Sequence, residues 1–213
     1  MPIYGPLSSP AAATLSEYGA LLQPLLTPPR WIHSLGVMQM MGDLAPLYGL
    51  DPASACVAGL LHDIAKDRSA AEQIQLATEL RLVLNDPSEA LPVYLHGVVG
   101  AALLEQQVGY TDAAVLEAIA AHSYNRQLSP PSERLGWCLR VADVLAPVRE
   151  WTGMWRLHDL AYAGDLATAA ILLSRWVSEL YCGWGLPVHP LLAALERQLC
   201  APLADQPDFF ARW

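Results

Sequence analysis

The run Ala58-Gly59-Leu60-Leu61-His62-Asp63-Ile64-Ala65-Lys66 limits what this chain can become more than any other stretch. An apolar helix there suddenly carries an imidazole and a carboxylate side by side. A buried carboxylate is costly unless it is paired or bound to a metal. Four other stretches present a His or Asp in a comparable setting: His33, His96, His122 and Asp143. Together these six positions suggest one dinuclear cation site inside an all-α helical bundle.

The composition sets the outer bounds. With 213 residues the chain holds one domain with a sizeable core, plus extensions. Apolar residues reach 54% and charged residues only 15%, so apolar surface is in surplus. No run of about 18 apolar residues exists to span a membrane. The surplus, with its seven Trp, therefore fills a large core and leaves a homodimer interface open. A net charge of −9 argues against polymeric nucleic acid as a partner. A small polyphosphate binds such a chain only where metals and a few basic side chains reverse the sign locally. Cys56, Cys138, Cys182 and Cys200 lack Cys-x-x-Cys spacing and read as reduced, mostly buried thiols of a cytoplasmic protein. Met1 to Ala13 has no basic start followed by an apolar core, so no leader peptide is expected.

Along the chain, residues 1–14 read as an irregular arm, 15–200 as one domain and 201–213 as a tail. A short helix is expected from Leu15 to Leu26, ended by Pro28-Pro29. The next runs from Arg30 to Tyr48 on the stripe Leu35, Met38, Met41, Leu44, Leu47, with Gly49 as its cap. Asp51-Pro52 restarts a helix that carries the His-Asp pair. Ser69 opens one through Leu84, and Val93 to Val108 and Asp112 to His122 follow. Ser132 caps another that ends before Pro147; Trp151 to Asp165 is ambiguous; Leu166 to Cys182 and Leu191 to Cys200 complete the set. No segment reads as a strand.

Each candidate has a plainer reading beside it. His33 shares a helix face with Arg30, three residues earlier, and alone reads as a satisfied core histidine. His62 and Asp63 diverge by about 100° on a regular helix, so both reach one site only if the helix end points into it. Lys66 shares the face of Asp63 and can meet a substrate phosphate; the plainer reading is a surface ion pair. His96 opens a helix whose Gly97 and Gly100 permit close approach, or is a surface histidine. His122 ends the stripe Val115, Ile119. Asp143, among Leu139, Val141, Ala142, Val144 and Leu145, is an internal cap or a ligand. His158-Asp159 repeats the dipeptide in polar surroundings and carries little weight. His189, before Pro190, packs on a ligand or does nothing.

The ordered set His, His-Asp, His, His, Asp resembles the HD-domain metal phosphohydrolase superfamily. Its flanks narrow the likeness. Arg30-Trp31-Ile32-His33-Ser34-Leu35-Gly36-Val37, Leu60 to Lys66, Leu95-His96-Gly97, Val141-Ala142-Asp143 and Val188-His189-Pro190 resemble the YqeK-type bacterial symmetric diadenosine tetraphosphate hydrolases. The likeness spans roughly residues 15–195. It implies an HD-domain helical bundle holding two divalent or mixed-valence metal ions. Iron is the metal of the family, and manganese or cobalt suits the same donors. One metal would take His33, His62, Asp63 and Asp143; the other His96 and His122, with Asp63 bridging. A bridging hydroxide would attack a β-phosphorus and release two ADP from the symmetric dinucleotide, with Asp63 and Lys66 as catalytic residues. Substrate contacts implied are Arg30, Lys66, His96, His122, Ser123, Arg149 and His189, and the partner is a small nucleotide. Where the family has His-Thr-Thr-Gly, this chain has His122-Ser123-Tyr124-Asn125, and Ala146-Pro147 replaces Glu-Pro. That turn keeps two alternatives open: another HD-type hydrolase of a mononucleotide or cyclic nucleotide, and a non-catalytic nucleotide-binding regulatory protein.

Overall fold

The computed structural model describes residues 9–146, 153–203 and 209, and among them the chain is all-α, with ten α-helices and no strand. In order these are α1 (Ser9–Leu22), α2 (Pro28–Leu47), α3 (Pro52–Leu61), α4 (Ala70–Glu79), α5 (Pro92–Leu103), α6 (Ala113–Ala121), α7 (Pro130–Leu145), α8 (Met154–Tyr162), α9 (Leu166–Gly183) and α10 (Pro190–Cys200).

Local chemistry explains the boundaries. Proline occupies the first turn of α2, α3, α5, α7 and α10, where a missing N–H costs nothing. Asp51 caps α3 by accepting from Ser54 N at 2.7 Å. Ser69 and Glu72 form a reciprocal capping box on α4. Gly49, at φ +61°, turns the chain out of α2.

Several expectations shift. Pro28-Pro29 does not end the first helix but opens the second, and α1 stops earlier in a 3-10 turn, Gln23–Leu25. Ser9 to Thr14 is helical where an irregular arm was expected, and residues 1–8 of that arm lie outside the described residues. α4 ends at Glu79 rather than Leu84, because Arg81 takes φ +55° and breaks the helix. α5 begins at Pro92, which places His96 inside the helix, and its α-helical part gives way at Leu104–Val108 to a π-turn. α7 starts at Pro130; Ser132 does not cap it but donates to the Glu117 carboxylate. Within the ambiguous segment Met154–Tyr162 is helical, with Trp151 and Thr152 outside the described residues. In the tail, Arg156 Nη1 donates to the Phe209 carbonyl at 2.8 Å. Only Cys56 and Cys138 are buried; Cys182 is exposed and Cys200 half-buried.

The core is built around α3. Every residue from Ala55 to Leu61 is buried, against α1, α2, α6 and α7. Burying a Leu such as Leu60 or Leu61 contributes about 1.5–3 kcal/mol. α2 and α3 approach at Gly59, where an added Cβ would lie 2.8 Å from Met38 Cα. α5 and α6 meet at Gly97, where it would lie 2.9 Å from the Ile119 carbonyl. A smaller cluster of Ala65, Ala77, Leu80, Leu95 and Val99 joins α4 to α5. α9 and α10 pack together, and α9 also lies on α7. These close contacts bring the inner ends of α2, α3, α5, α6 and α7 to one place. No helix among the described residues is long and apolar enough to cross a membrane.

Candidate metal centre

His33 comes from the second turn of α2. His62 is the residue just past the last turn of α3, and Asp63 follows in the turn, so the helix end does point into the site. His96 lies on α5, His122 ends α6, and Asp143 sits in the last turn of α7. The two oxygens of Asp63 face different partners. Oδ2 lies 3.4 Å from His62 Nε2 and 3.8 Å from His33 Nε2. Oδ1 lies 3.3 Å from His96 Nε2 and 3.8 Å from His122 Nε2. Asp143 Oδ1 closes the first group, 3.0 Å from His33 Nε2 and 3.7 Å from His62 Nε2.

The ring hydrogen bonds determine which nitrogen faces inward. The Nδ1 atoms of His62, His96 and His122 bond the carbonyls of Gly59, Pro92 and Ile119 at 2.8, 2.8 and 2.7 Å. A carbonyl only accepts, so each Nδ1 carries a proton and each Nε2 faces inward, where it can lend a lone pair to a metal once the ring is neutral. His96 Nε2 and His122 Nε2 stand 2.9 Å apart, close enough to share one proton or to serve as two ligands of one cation. His62 Nε2 is buried with no hydrogen-bond partner. Backbone carbonyls that orient imidazoles are the usual outer support of metal ligands. The donors also group as metal sites require: His33, His62 and Asp63; His62, His122 and Asp143; Asp63, His96 and His122, with atoms in each set within 4.8 Å of one another. The residues therefore fit bound divalent cations.

The field of the site agrees. Burial depresses the His62 pKa, but Asp63 and Asp143 more than reverse this and lift it to about 10, so positive charge is favoured there. Burial raises the Asp63 pKa, but His62, His96 and Lys66 outweigh it and hold the carboxyl well below the usual range. Burial lowers His33, His96 and His122; for His96 the Lys66 charge adds to this, and for His122 the neighbouring imidazoles.

A cleft of about 320 Å³ opens onto these groups, a volume suited to a small ligand. Arg30, Lys66, His96, His122, Ser123 and Asp143 line it. Arg30 Nη1 donates to Asp63 Oδ2 at 2.7 Å, and Lys66 Nζ stands 3.4 Å from the His96 ring nitrogens. Ser123 Oγ is 3.3 Å from His96 Nε2. His189 is not in the lining. It is buried as the cap of α10, its Nδ1 accepting from Leu191 N at 3.1 Å and its Nε2 facing Glu89 Oε1 at 3.2 Å. Its backbone N–H donates to Tyr94 Oη at 2.9 Å, and the Tyr94 ring packs edge-on against Tyr181 in the cleft wall. Arg149 lies outside the described residues.

Sequence reasoning missed other lining groups: Arg140 on α7, Trp176, Leu180 and Tyr181 on α9, and Trp184 at its C-terminal cap. Arg140 had the signal that singled out Asp143, a lone charge in an apolar run. Trp176, Leu180 and Trp184 recur every four residues, which places them on one helix face.

The family model of the HD domain matches residues 30–148, from Arg30 on α2 to just beyond α7. The chain belongs to the HD domain family. It is 35% identical over 141 residues to the symmetrical bis(5'-nucleosyl)-tetraphosphatase of Halalkalibacterium halodurans, covering 66% of this chain and 73% of that one. It is 33% identical over 155 residues to the enzyme of the same name from Bacillus subtilis, covering 71% and 79%. Among solved structures, a predicted HD superfamily hydrolase involved in NAD metabolism from Clostridium acetobutylicum superposes with a TM-score of 0.79. That match is 27% identical and covers 88% of this chain and 97% of the other. All six HD-type positions fall inside the matched segment.

Proposed function

We propose that this HD-domain chain is a metal-dependent hydrolase that splits diadenosine tetraphosphate symmetrically into two ADP. The observation that carries the reading is the two-sided Asp63, one oxygen toward each group of imidazoles. The symmetrical tetraphosphatases it resembles support the substrate class. His33, His62, Asp63 and Asp143 would hold one cation, and Asp63, His96 and His122 the other. Imidazole and carboxylate donors suit iron, with manganese or cobalt as substitutes. When bound, the metals supply Lewis-acid polarisation of a phosphoryl oxygen and a water of lowered pKa.

The chain's own residues do the rest. Arg30 fixes the orientation of the Asp63 carboxylate through its 2.7 Å bond. Lys66 and Arg30 offer cationic contacts to the phosphates, and Ser123 a hydroxyl. A water oxygen attacking a β-phosphorus would form the new P–O bond that completes one ADP and give up its proton to solvent, while the bond to the bridging oxygen breaks and the second ADP departs as an anion whose charge Lys66 and Arg30 offset. His189 stands behind the cleft, holding Tyr94 and through it the Tyr181 wall. A cytoplasmic location accords with four cysteines free of disulfides.

Incubation of iron-, manganese- or cobalt-loaded protein with diadenosine tetraphosphate should yield ADP alone. AMP with ATP, or no turnover with any of the three metals, refutes the proposal. A second reading, hydrolysis of a mononucleotide or cyclic nucleotide, draws on the bulk of Tyr124, held at φ +65° in the cleft wall. A wide preference for such a substrate in a nucleotide panel would favour it.

A further inference from the structure

Arg140 is a buried cation. It is 4% exposed, yet no carboxylate pairs with it among the described residues. Two of its nitrogens are spent on one acceptor: Nε and Nη2 donate to the Ala121 carbonyl at 3.3 and 2.7 Å. Nη1 makes no hydrogen bond to the described residues and is not among the fully buried unpaired atoms, so this edge of the guanidinium opens to the cavity. The guanidinium is held over the Tyr124 ring at 4.3 Å and the Trp137 ring at 4.6 Å. Burial pushes its pKa down to about 10, against the opposing pull of Tyr124 and Tyr181. Leaving a guanidinium so placed is expensive unless an anion arrives to meet it.

Its position says what that anion is. Arg140 and Tyr124 line the cleft over the metal centre and also a second cavity of about 300 Å³, shared with Arg126, Gln127, Glu133 and Trp137. In a chain of net charge −9 with only twelve Lys and Arg, three of them, Arg30, Lys66 and Arg140, meet in one cleft. A planar guanidinium with fixed orientation and an unspent edge matches phosphate oxygens better than a flexible ammonium does. We propose that Arg140 is a specificity-determining contact for the polyphosphate chain of the substrate, at the junction between the metal cleft and the second cavity. This deepens the proposed function, on which the identity of the substrate rests; the anion site itself does not need turnover. The same residue grips Ala121, next to His122, so its phosphate role must be separated from a purely structural one.

Titration calorimetry on the full chain, with metal content matched, does this with three probes: inorganic tripolyphosphate, ADP and adenosine. In Arg140→Met the affinity for tripolyphosphate and ADP should fall about tenfold or more while adenosine binding stays unchanged. Arg140→Lys should recover part of the loss. Equal tripolyphosphate affinity in wild type and Arg140→Met overturns the proposal. So does a parallel loss for ADP and adenosine, the mark of a distorted turn. Should Arg140→Met not fold, guanidinium NMR of the native chain decides. The Arg140 signal, assigned by its absence in Arg140→Lys, should shift on adding tripolyphosphate, and an unmoved signal overturns the inference. A wild type that binds tripolyphosphate through Arg140 but leaves diadenosine tetraphosphate intact would sink the proposed function alone.

Discussion

His62-Asp63 and His158-Asp159 are the same dipeptide, with nearly the same internal spacing, 3.4 and 3.5 Å between imidazole nitrogen and carboxylate oxygen. Everything else differs. The first pair is 0% and 3% exposed, the second 51% and 71%. His62 and Asp63 follow the buried end of α3, where the chain turns inside the bundle and meets groups from four other helices, α2, α5, α6 and α7. His158 and Asp159 lie within α8 on its solvent side, with the His158 ring stacked on Tyr162 at 4.4 Å. In water such a pair is worth little, because solvent screens both charges. Inside, the same charges shift each other's proton affinities strongly and favour a cation. The dipeptide is therefore not the signal; its burial is.

The largest expected effect comes from removing the first pair's carboxylate. Asp63→Ala should lose bound metal, measured by elemental analysis, and lower kcat/KM by more than about a hundredfold, the upper end of what losing an outer contact of a ligand costs. Chelator should then lower the Tm of wild type but leave this variant unmoved, since only a bound metal stabilises by mass action. A variant with full metal content and rate would erase the contrast between the dipeptides.

Next comes the frame that buries the pair. Gly59→Ala would press a Cβ onto the backbone of α2 at 2.8–2.9 Å. Backbone cannot swing aside, so we expect a loss of about 3 kcal/mol, a fall of roughly 6–12 °C in Tm for a chain of this size. Thermal melts that match wild type would show that α2 and α3 are not clamped there. Lys66→Ala touches the pair's field without removing a metal donor. It should keep full metal content and lose about 10- to 100-fold in kcat/KM; metal loss would reassign Lys66 to structure. At the far end, His158→Ala should leave rate and Tm unchanged within about 0.5 kcal/mol, as for other solvated surface positions. A clear loss of activity there would mean that exposure is a poor guide to role in this fold.

Much of the fold was legible because its signals are local. Asp51 caps, Pro at the first helical turn and the Ser69 box act within a few residues, and their helices start where expected. Pro28-Pro29 shows the limit: proline marks a boundary, but only the packed structure tells that it opens α2 rather than closes α1. The six candidate metal positions were legible as imidazoles and carboxylates out of place in apolar runs. Arg140 carried the same mark and went unread, since a cation in a helix is easily imagined snorkelling to water. His189 was legible as a residue of note but not as the cap of α10 paired with Glu89, a partner 100 positions away.

Capping residues and apolar periodicity were enough to expect an all-α chain, because each acts over a few residues; the HD type came from the likeness of the ordered His and Asp positions and their flanks to that family, and the same order offered six candidate metal donors. Which oxygen of Asp63 faces which histidine, which imidazole nitrogen points inward, and that Arg140 stands buried between two cavities were decided by tertiary packing alone. His33 and Asp143 lie 110 residues apart in the chain and 3.0 Å apart in space. Such a meeting is made by the joint burial of whole helix faces, whose geometry no local stretch of residues contains.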